Sequence, residues 1–232
     1  MFDQRSTEIE IMDDLDIKGD VIDSTLKELN VINKWLGGNS IIVHALDILL
    51  KDSSKKNITL ADLGCGGGDL LKLMSNRLRK KNIASRLIGV DANPHIIEYA
   101  KKNCSSHPEI EFQSINIFSE EFKAQKFDVV ASTLFFHHFD DQTLTDFLKQ
   151  LSNQASIGII INDLHRHWFA YHSIKWITAI FSKSFMVKND AKVSVQRGFL
   201  KEELENIIQK AGFTKYEIKW RWAFRYQVVI WV

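Results

Sequence analysis

The sequence predicts an α/β chain: a seven-stranded, mostly parallel sheet with helices on both faces, an antiparallel C-terminal hairpin and a helical N-terminal lid. Three observations carry this. From about residue 57, short runs rich in Val, Ile and Leu alternate with amphipathic stretches, the pattern of strands buried on both faces and threaded by covering helices. The first run empties into a loop of spaced glycines followed directly by a helix. The last two β-like runs lie too close together for a helical crossover, so they must pair antiparallel.

Taken in order, residues 1–56 read as a helical lid. Ile22, Leu26, Leu29 and Leu36 share one face, Gly37-Gly38 ends that helix, and IIVHALDILL begins another. The domain proper is expected over 57–232. Its first strand is ITLADL (58–63), and Asp69 opens a helix that closes on a basic turn suited to the helix dipole. RLIGVD (86–91) is the second strand, followed by Asn93-Pro94 as cap and first helical residue. IEFQSI (110–115) and FDVVAS (127–132) are the third and fourth strands. Asp140 or Asp141 then caps a helix with Leu144, Phe147, Leu148 and Leu151 on one stripe. After the fifth strand, IGIIIND (157–163), an apolar-rich helical insertion is expected at about 164–197. FLKEELENIIQKAGF is a helix stopped by Gly212, and KYEIKWRW with FRYQVVIWV makes the final hairpin.

Composition narrows the function classes. The 232 residues carry 30 Lys+Arg against 29 Asp+Glu, so no global basic field argues for a nucleic-acid or anionic-membrane partner. Two cysteines, Cys65 and Cys104, are too few for a disulfide framework. The acidic start MFDQRSTEIEIMDD lacks the apolar core of a secretory signal, and no apolar run approaches the ~20 residues of a membrane span. A cytoplasmic protein with a small-molecule substrate is the expectation, with monomer and homodimer both open.

The chemistry centres on Asp62-Leu63-Gly64-Cys65-Gly66-Gly67-Gly68-Asp69. Glycines at 64, 66 and 68 let the backbone turn sharply and let a ligand lie against it. The helix behind offers unpaired N–H groups. Asp91 ends the second strand, where a carboxylate can accept both hydroxyls of a ribose. A dinucleotide G-x-G-x-x-G register fails, since Asp69 or Leu71 falls on the third glycine position, and no Gly-Lys-Ser/Thr follows for a P-loop.

ADLGCGGGDL, LIGVDANPHIIEYA and FDVVASTLFFHHF, in that order and spacing, resemble the class I S-adenosylmethionine-dependent methyltransferases, whose fold is Rossmann-like. LFFHHF is most similar to the ubiquinone/menaquinone-type small-molecule branch. INDLHRHWFAY and DIKGDVIDSTLKELNVINKWLGG look more loosely like bacterial enzymes of polyketide and aryl-pigment pathways. The resemblance implies S-adenosylmethionine as cofactor, S-adenosylhomocysteine as product and an aromatic or polyketide-like hydroxyl or acid as acceptor. Asp62 would lie near the methionyl ammonium, with Gly64, Cys65, Gly66 and Gly68 lining methionine and ribose. Asp91 would hold the ribose, and Ala92, Asn116 and Ile117 would flank the adenine. Asn116 stands where the family usually has an acid. Ser132, with Thr133, would close the fourth strand beside the methyl group. Methylation of a protein or RNA is disfavoured: no recognition domain or basic tail is apparent, and STLFFHHF replaces an Asn-Pro-Pro-Tyr-type motif. A noncatalytic cofactor-binding subunit is the reading from another class, and the intact glycine and aspartate set argues against it.

Five of the eight histidines (137, 138, 165, 167 and 172) fall after the fourth and fifth predicted strands. His138 and His165 are the candidate general bases, since imidazole titrates near 6.5, and Arg166 is the candidate holder of an anionic substrate group. His165-x-His167 with His137-His138 matches no zinc spacing, so no metal is expected.

Overall fold

A computed structural model describes residues 2–15 and 17–232. The strands are β1 (Asn57–Leu63), β2 (Ala84–Asp91), β3 (Ile110–Ser114), β4 (Phe127–Thr133), β5 (Ala155–Leu164), β6 (Tyr216–Arg221) and β7 (Arg225–Trp231). They form one sheet in the order β3-β2-β1-β4-β5-β7-β6. All neighbouring pairs are parallel except β5–β7 and β6–β7. The order reverses between β1 and β4, and beyond the carboxyl ends of strands at such a switch point open α/β sheets bind ligands.

Helices α1 (Asp20–Trp35), α2 (Gly38–Leu49), α3 (Asp69–Lys80), α4 (Pro94–Asn103) and α5 (Glu120–Lys123) occupy the first half. Then come α6 (Asp141–Gln154), α7 (Trp168–Phe181), α8 (Phe185–Arg197) and α9 (Lys201–Lys210). Short 3₁₀ turns lie at Ile11–Asp13 and Phe136–His138. Alternate strand residues feed two cores. Leu63, Val130, Ile161 and Val228 pack toward α6 and α9; Leu60, Ala131, Ile160 and Val229 pack toward α2 and α3.

Local chemistry explains the element ends. Asn93 Oδ1 accepts from His95 N–H at 2.8 Å with Pro94 at the first helical position, and Asp140 Oδ1 accepts from Thr143 N–H at 2.8 Å. The start of α3 falls where the sequence placed it. Gly68, in the left-handed region, is its cap, and Asp69 is its first residue. β5 is longer than the sequence suggested, because it runs in register with β7 from Gly158 to Leu164.

The expected lid divides in two. α2 carries Ile42, Ala45, Leu46 and Leu49 into the sheet core beside β5 and β7, so it is a covering layer and not a lid. Of the expected lid, residues 2–15, a strap with one 3₁₀ turn, and α1 lie over the carboxyl ends of the strands, Arg5 bonding His137 O and Phe139 O and Leu26 facing Gly66. The insertion after β5 is α7 followed by α8, and α7 exposes Trp168, Phe169, Trp176, Ile180 and Phe181. No helix among the described residues is long and apolar enough to cross a membrane.

Candidate functional site

The glycine loop is stapled to the second strand. Gly64 N–H and Cys65 N–H both donate to Val90 O, at 2.9 and 3.1 Å, and Gly68 N–H closes a turn on Cys65 O at 3.0 Å. Gly64, Gly66 and Gly68 all have positive φ (67°, 50° and 76°), a region that L side chains avoid. At Gly64 a second constraint applies: a Cβ would stand 2.5 Å from the Phe135 ring.

Two acids face this loop. Asp62, only 2% exposed, is pushed up to about 7 by burial and then by the charge of Asp91. Burial likewise raises Asp91 to about 6, against hydrogen bonds from the backbone of Asn93, Gly66 and Ala92. One buried and one half-buried carboxylate, both held above their ordinary range, suit a cation and hydroxyl donors, because either ligand stabilises the charged form. Cys65 and Cys104 are buried beside them, and burial raises both thiols, Cys104 to about 11; neither is poised as a nucleophile. Ala92 is exposed at the outer rim. Asn116 is also exposed and spends one Oδ1 lone pair on Phe118 N–H at 2.9 Å, while Ile117 is buried in the core behind it.

The other predicted residues are placed differently. Ser132 is fully buried, donates to Leu63 O at 3.4 Å and lies on the face away from Asp62. Thr133, one residue on, has the crevice-facing position, and its Oγ1 has no hydrogen-bond partner. Arg166 is 1% exposed and already consumed: it grips Glu203 through Nη1 and Nη2 at 2.9 and 2.6 Å and donates to Phe2 O and Gly198 O. It is a structural clamp on the strap and not a substrate contact. His165 accepts from Trp220 Nε1–H through Nδ1 at 3.2 Å, so its own proton sits on Nε2. Burial, then His167 and Arg166, lower its pKa, which favours a neutral ring, and with Nδ1 taken by Trp220 the remaining nitrogen is a donor. His138 does lie at the crevice end of β4, but Asp13 Oδ1 is 2.6 Å from its Nδ1 and Glu10 Oε2 is 3.9 Å from its Nε2.

Sequence reasoning missed two groups. The first is a row of buried polar side chains on the Asp62 face of the sheet: Thr133, Asn162 and Arg225, with Asn33 of α1 above. Thr133 Oγ1, Asn162 Oδ1, Asn33 Oδ1 and Arg225 Nε and Nη1 all lack partners. Asn162 Nδ2 donates to Gly38 O at 3.3 Å, and a Cβ on Gly38 would lie 2.9 Å from Arg225 Nη1, so the row converges on the α1–α2 junction. The second group is His137, which Asp163 and Glu10 flank at 2.7 and 3.1 Å; burial alone would lower its pKa, but these carboxylates raise it to about 9. Nothing in the strap sequence marks Glu10. Asp163 and Arg225 had a usable signal, being charged residues inside otherwise apolar strand runs.

A glycine cradle at the switch point, backed by Asp62 and Asp91, has the form of a nucleotide site of Rossmann-like type. The Methyltransferase domain family matches residues 60–158, which hold the loop, Asp91 and β4. Over this stretch the chain is similar to the class I S-adenosylmethionine-dependent methyltransferases. It is 27% identical over 164 residues to the ubiquinone biosynthesis O-methyltransferase of Bartonella quintana, covering 68% of this chain and 61% of that one. It is 35% identical over 96 residues to the malonyl-[acyl-carrier protein] O-methyltransferase of Acetivibrio thermocellus, covering 41% of this chain and 31% of that one. The aligned stretches therefore span about three-fifths and one-third of these relatives. Among solved structures, the plantazolicin methyltransferase BpumL with S-adenosylhomocysteine superposes with a TM-score of 0.68 at 17% identity, covering 89% of this chain and 88% of that one. Identity that low speaks for the fold.

Proposed function

We propose that this chain transfers the methyl group of S-adenosylmethionine to an oxygen or carbon nucleophile of a small acceptor bearing an acid group, the aromatic or polyketide-like class that the sequence suggested. When bound, the cofactor supplies a sulfonium methyl for in-line displacement. Asp62 accepts from its ammonium and Asp91 from its ribose hydroxyls, and the glycine loop lets it lie close to the backbone. Alignment in a site shielded from water supplies most of the acceleration for such a transfer. The chain's part is therefore to position the nucleophile and exclude water, with α1 and the strap as cover.

One observation carries the acceptor class: the unpartnered polar atoms Thr133 Oγ1, Asn162 Oδ1, Asn33 Oδ1 and Arg225 Nε and Nη1 along the Asp62 face. Buried polar groups are almost always paired, and burial lowers the Arg225 guanidinium to about 10, the nearby Asp163 charge opposing. A carboxylate entering beside Thr133 satisfies the guanidinium and places its neighbouring atoms at the end of β4.

The test is titration with S-adenosylhomocysteine, followed by labelled-methyl transfer to a panel of phenols and polyketide acids. Asp91→Ala removes two charge-assisted hydrogen bonds worth about 1.5–3 kcal/mol each, so affinity should fall at least ~100-fold. Arg225→Gln should leave that affinity within about threefold but raise KM for acidic acceptors by ~30-fold or more, the loss of one charge-assisted pair. Unchanged affinity in Asp91→Ala sinks the cofactor assignment. Equal KM for acidic and neutral acceptors in Arg225→Gln sinks the acceptor assignment. A lost cofactor affinity in Arg225→Gln would give the guanidinium to the methionyl carboxylate.

A further inference from the structure

Glu10, His137 and His138 converge at one point beside the cofactor crevice, at the end of β4. His137 Nε2 is 3.1 Å from Glu10 Oε1, and His138 Nε2 is 3.9 Å from Glu10 Oε2. Ligand atoms from all three residues lie within 4.8 Å of one another. Ligands about 2.0–2.2 Å from a tetrahedral cation are ~3.4 Å apart, so the spacing brackets that of a coordination shell.

The other ends of the imidazoles strengthen the case. His137 Nδ1 is 2.7 Å from Asp163 Oδ1, and His138 Nδ1 is 2.6 Å from Asp13 Oδ1. Metal-binding histidines characteristically give the second ring nitrogen to a carboxylate, which fixes the tautomer and directs the free nitrogen at the ion. An ion pair with Glu10 accounts for His137 alone. The second imidazole, 4.4 Å away and tilted by 33°, is held from its far side by Asp13 and leaves its Nε2 turned toward the same carboxylate, beyond hydrogen-bond range. The carboxylates Glu10, Asp13 and Asp163 surround the two imidazoles, and the Arg197 guanidinium lies 3.4 Å from Asp13. A cleft of about 440 Å³, bordered by Arg5, His137 and Arg197, leads to the cluster.

We propose that His137 Nε2, His138 Nε2 and Glu10 form a site for a divalent first-row transition metal. Two imidazoles and one carboxylate suit zinc and its neighbours and are poor ligands for Mg²⁺ or Ca²⁺. Three protein ligands leave one position for a small oxygen ligand. Because Glu10 belongs to the N-terminal strap and the histidines to the turn after β4, the ion ties the strap down over the carboxyl ends of the strands.

The experiment uses the full chain, stripped with chelator and titrated with Zn²⁺ alone. One equivalent should bind with Kd below about 1 µM, raise Tm and slow proteolysis within residues 2–15. Co²⁺ should bind with the visible d–d absorption of a four-coordinate site. Glu10→Gln and His138→Gln should each weaken binding at least ~100-fold, as loss of one of three ligands requires, whereas His167→Gln should not. Absence of saturable uptake by the wild type overturns the proposal. So does uptake unchanged in Glu10→Gln and His138→Gln, or a matched loss in His167→Gln. If the two ligand variants do not fold, the wild-type stoichiometry, Co²⁺ spectrum and strap protection decide alone.

Discussion

Lowering the pH from 7.5 to 5.5 should weaken S-adenosylhomocysteine binding by about two orders of magnitude. In the free protein Asp62 sits at about 7 and Asp91 at about 6, both raised above their ordinary value chiefly by burial. The bound ammonium and ribose hydroxyls need the ionised acids, so each proton must leave before the ligand enters. With those two values the penalty is roughly fourfold at pH 6.5 and ~100-fold at pH 5.5, or about 2.7 kcal/mol. The sign is fixed by the direction of the shifts. The folded, unliganded chain holds these protons more tightly than the unfolded chain, so their share of stability is present at low pH and is lost as pH rises through about 6 to 7. Ligand binding reverses that loss, so the rise in Tm on adding S-adenosylhomocysteine should be larger at pH 7.5 than at pH 5.5. Calorimetric titration at pH 5.5, 6.5 and 7.5, in buffers of different ionisation enthalpy, gives both affinity and protons released. Affinity that is flat across this range, or a pH slope unchanged in Asp62→Asn, would refute the assignment of the two acids as the cofactor's partners.

Gly64→Ala should cost about 1–3 kcal/mol of stability through its left-handed φ, with more from a Cβ placed 2.5 Å from Phe135, and cofactor affinity should fall with it; a variant with wild-type Tm and affinity would show that the loop does not need glycine there. Arg166→Met should lower stability by about 3 kcal/mol, the lower end of the range for a broken buried ion pair, because Glu203 keeps a side-chain exposure of 23%. Denaturant unfolding measures it. Wild-type stability with a selectively raised acceptor KM would instead restore Arg166 as a substrate contact.

The sheet was legible because its signals are local. Val130, Ile160 and Val229 belong to runs whose burial on both faces leaves an unbroken apolar string, and Asn93-Pro94 and Asp140 punctuate the helices by hydrogen bonds to residues two or three positions away. The cofactor loop was legible for the same reason: Gly64 to Asp69 is continuous in the chain, and Asp91 follows from the strand that carries it. Arg166 misled because its sequence context, at the carboxyl end of β5, matches a ligand contact, while its partners Phe2 and Glu203 lie 164 and 37 residues away. The second helical segment misled through composition. An apolar helix before the sheet reads alike whether it covers the crevice or a flank, and only the packing of Leu46 and Leu49 beside β5 and β7 tells α2 apart from a lid.

The strap also bears on the order in which the molecule assembles. Arg5 reaches Asp141 and Phe139, Ser6 N–H donates to Gln196 O, and Glu10 accepts from Ser194. The strap therefore rests on partners 134 to 190 residues further along the chain. At roughly 5–20 residues per second, Glu10 waits about 10–40 s on the ribosome before Ser194 exists. The sheet and its helices must close without the strap, and docking it is the most sequence-distant step, the kind that pays loop entropy before any contact repays it. During synthesis the histidine turn after β4 stays open. A bulky extension fused before Phe2, whose carbonyl is gripped by Arg166, would act at this final step and not on the sheet.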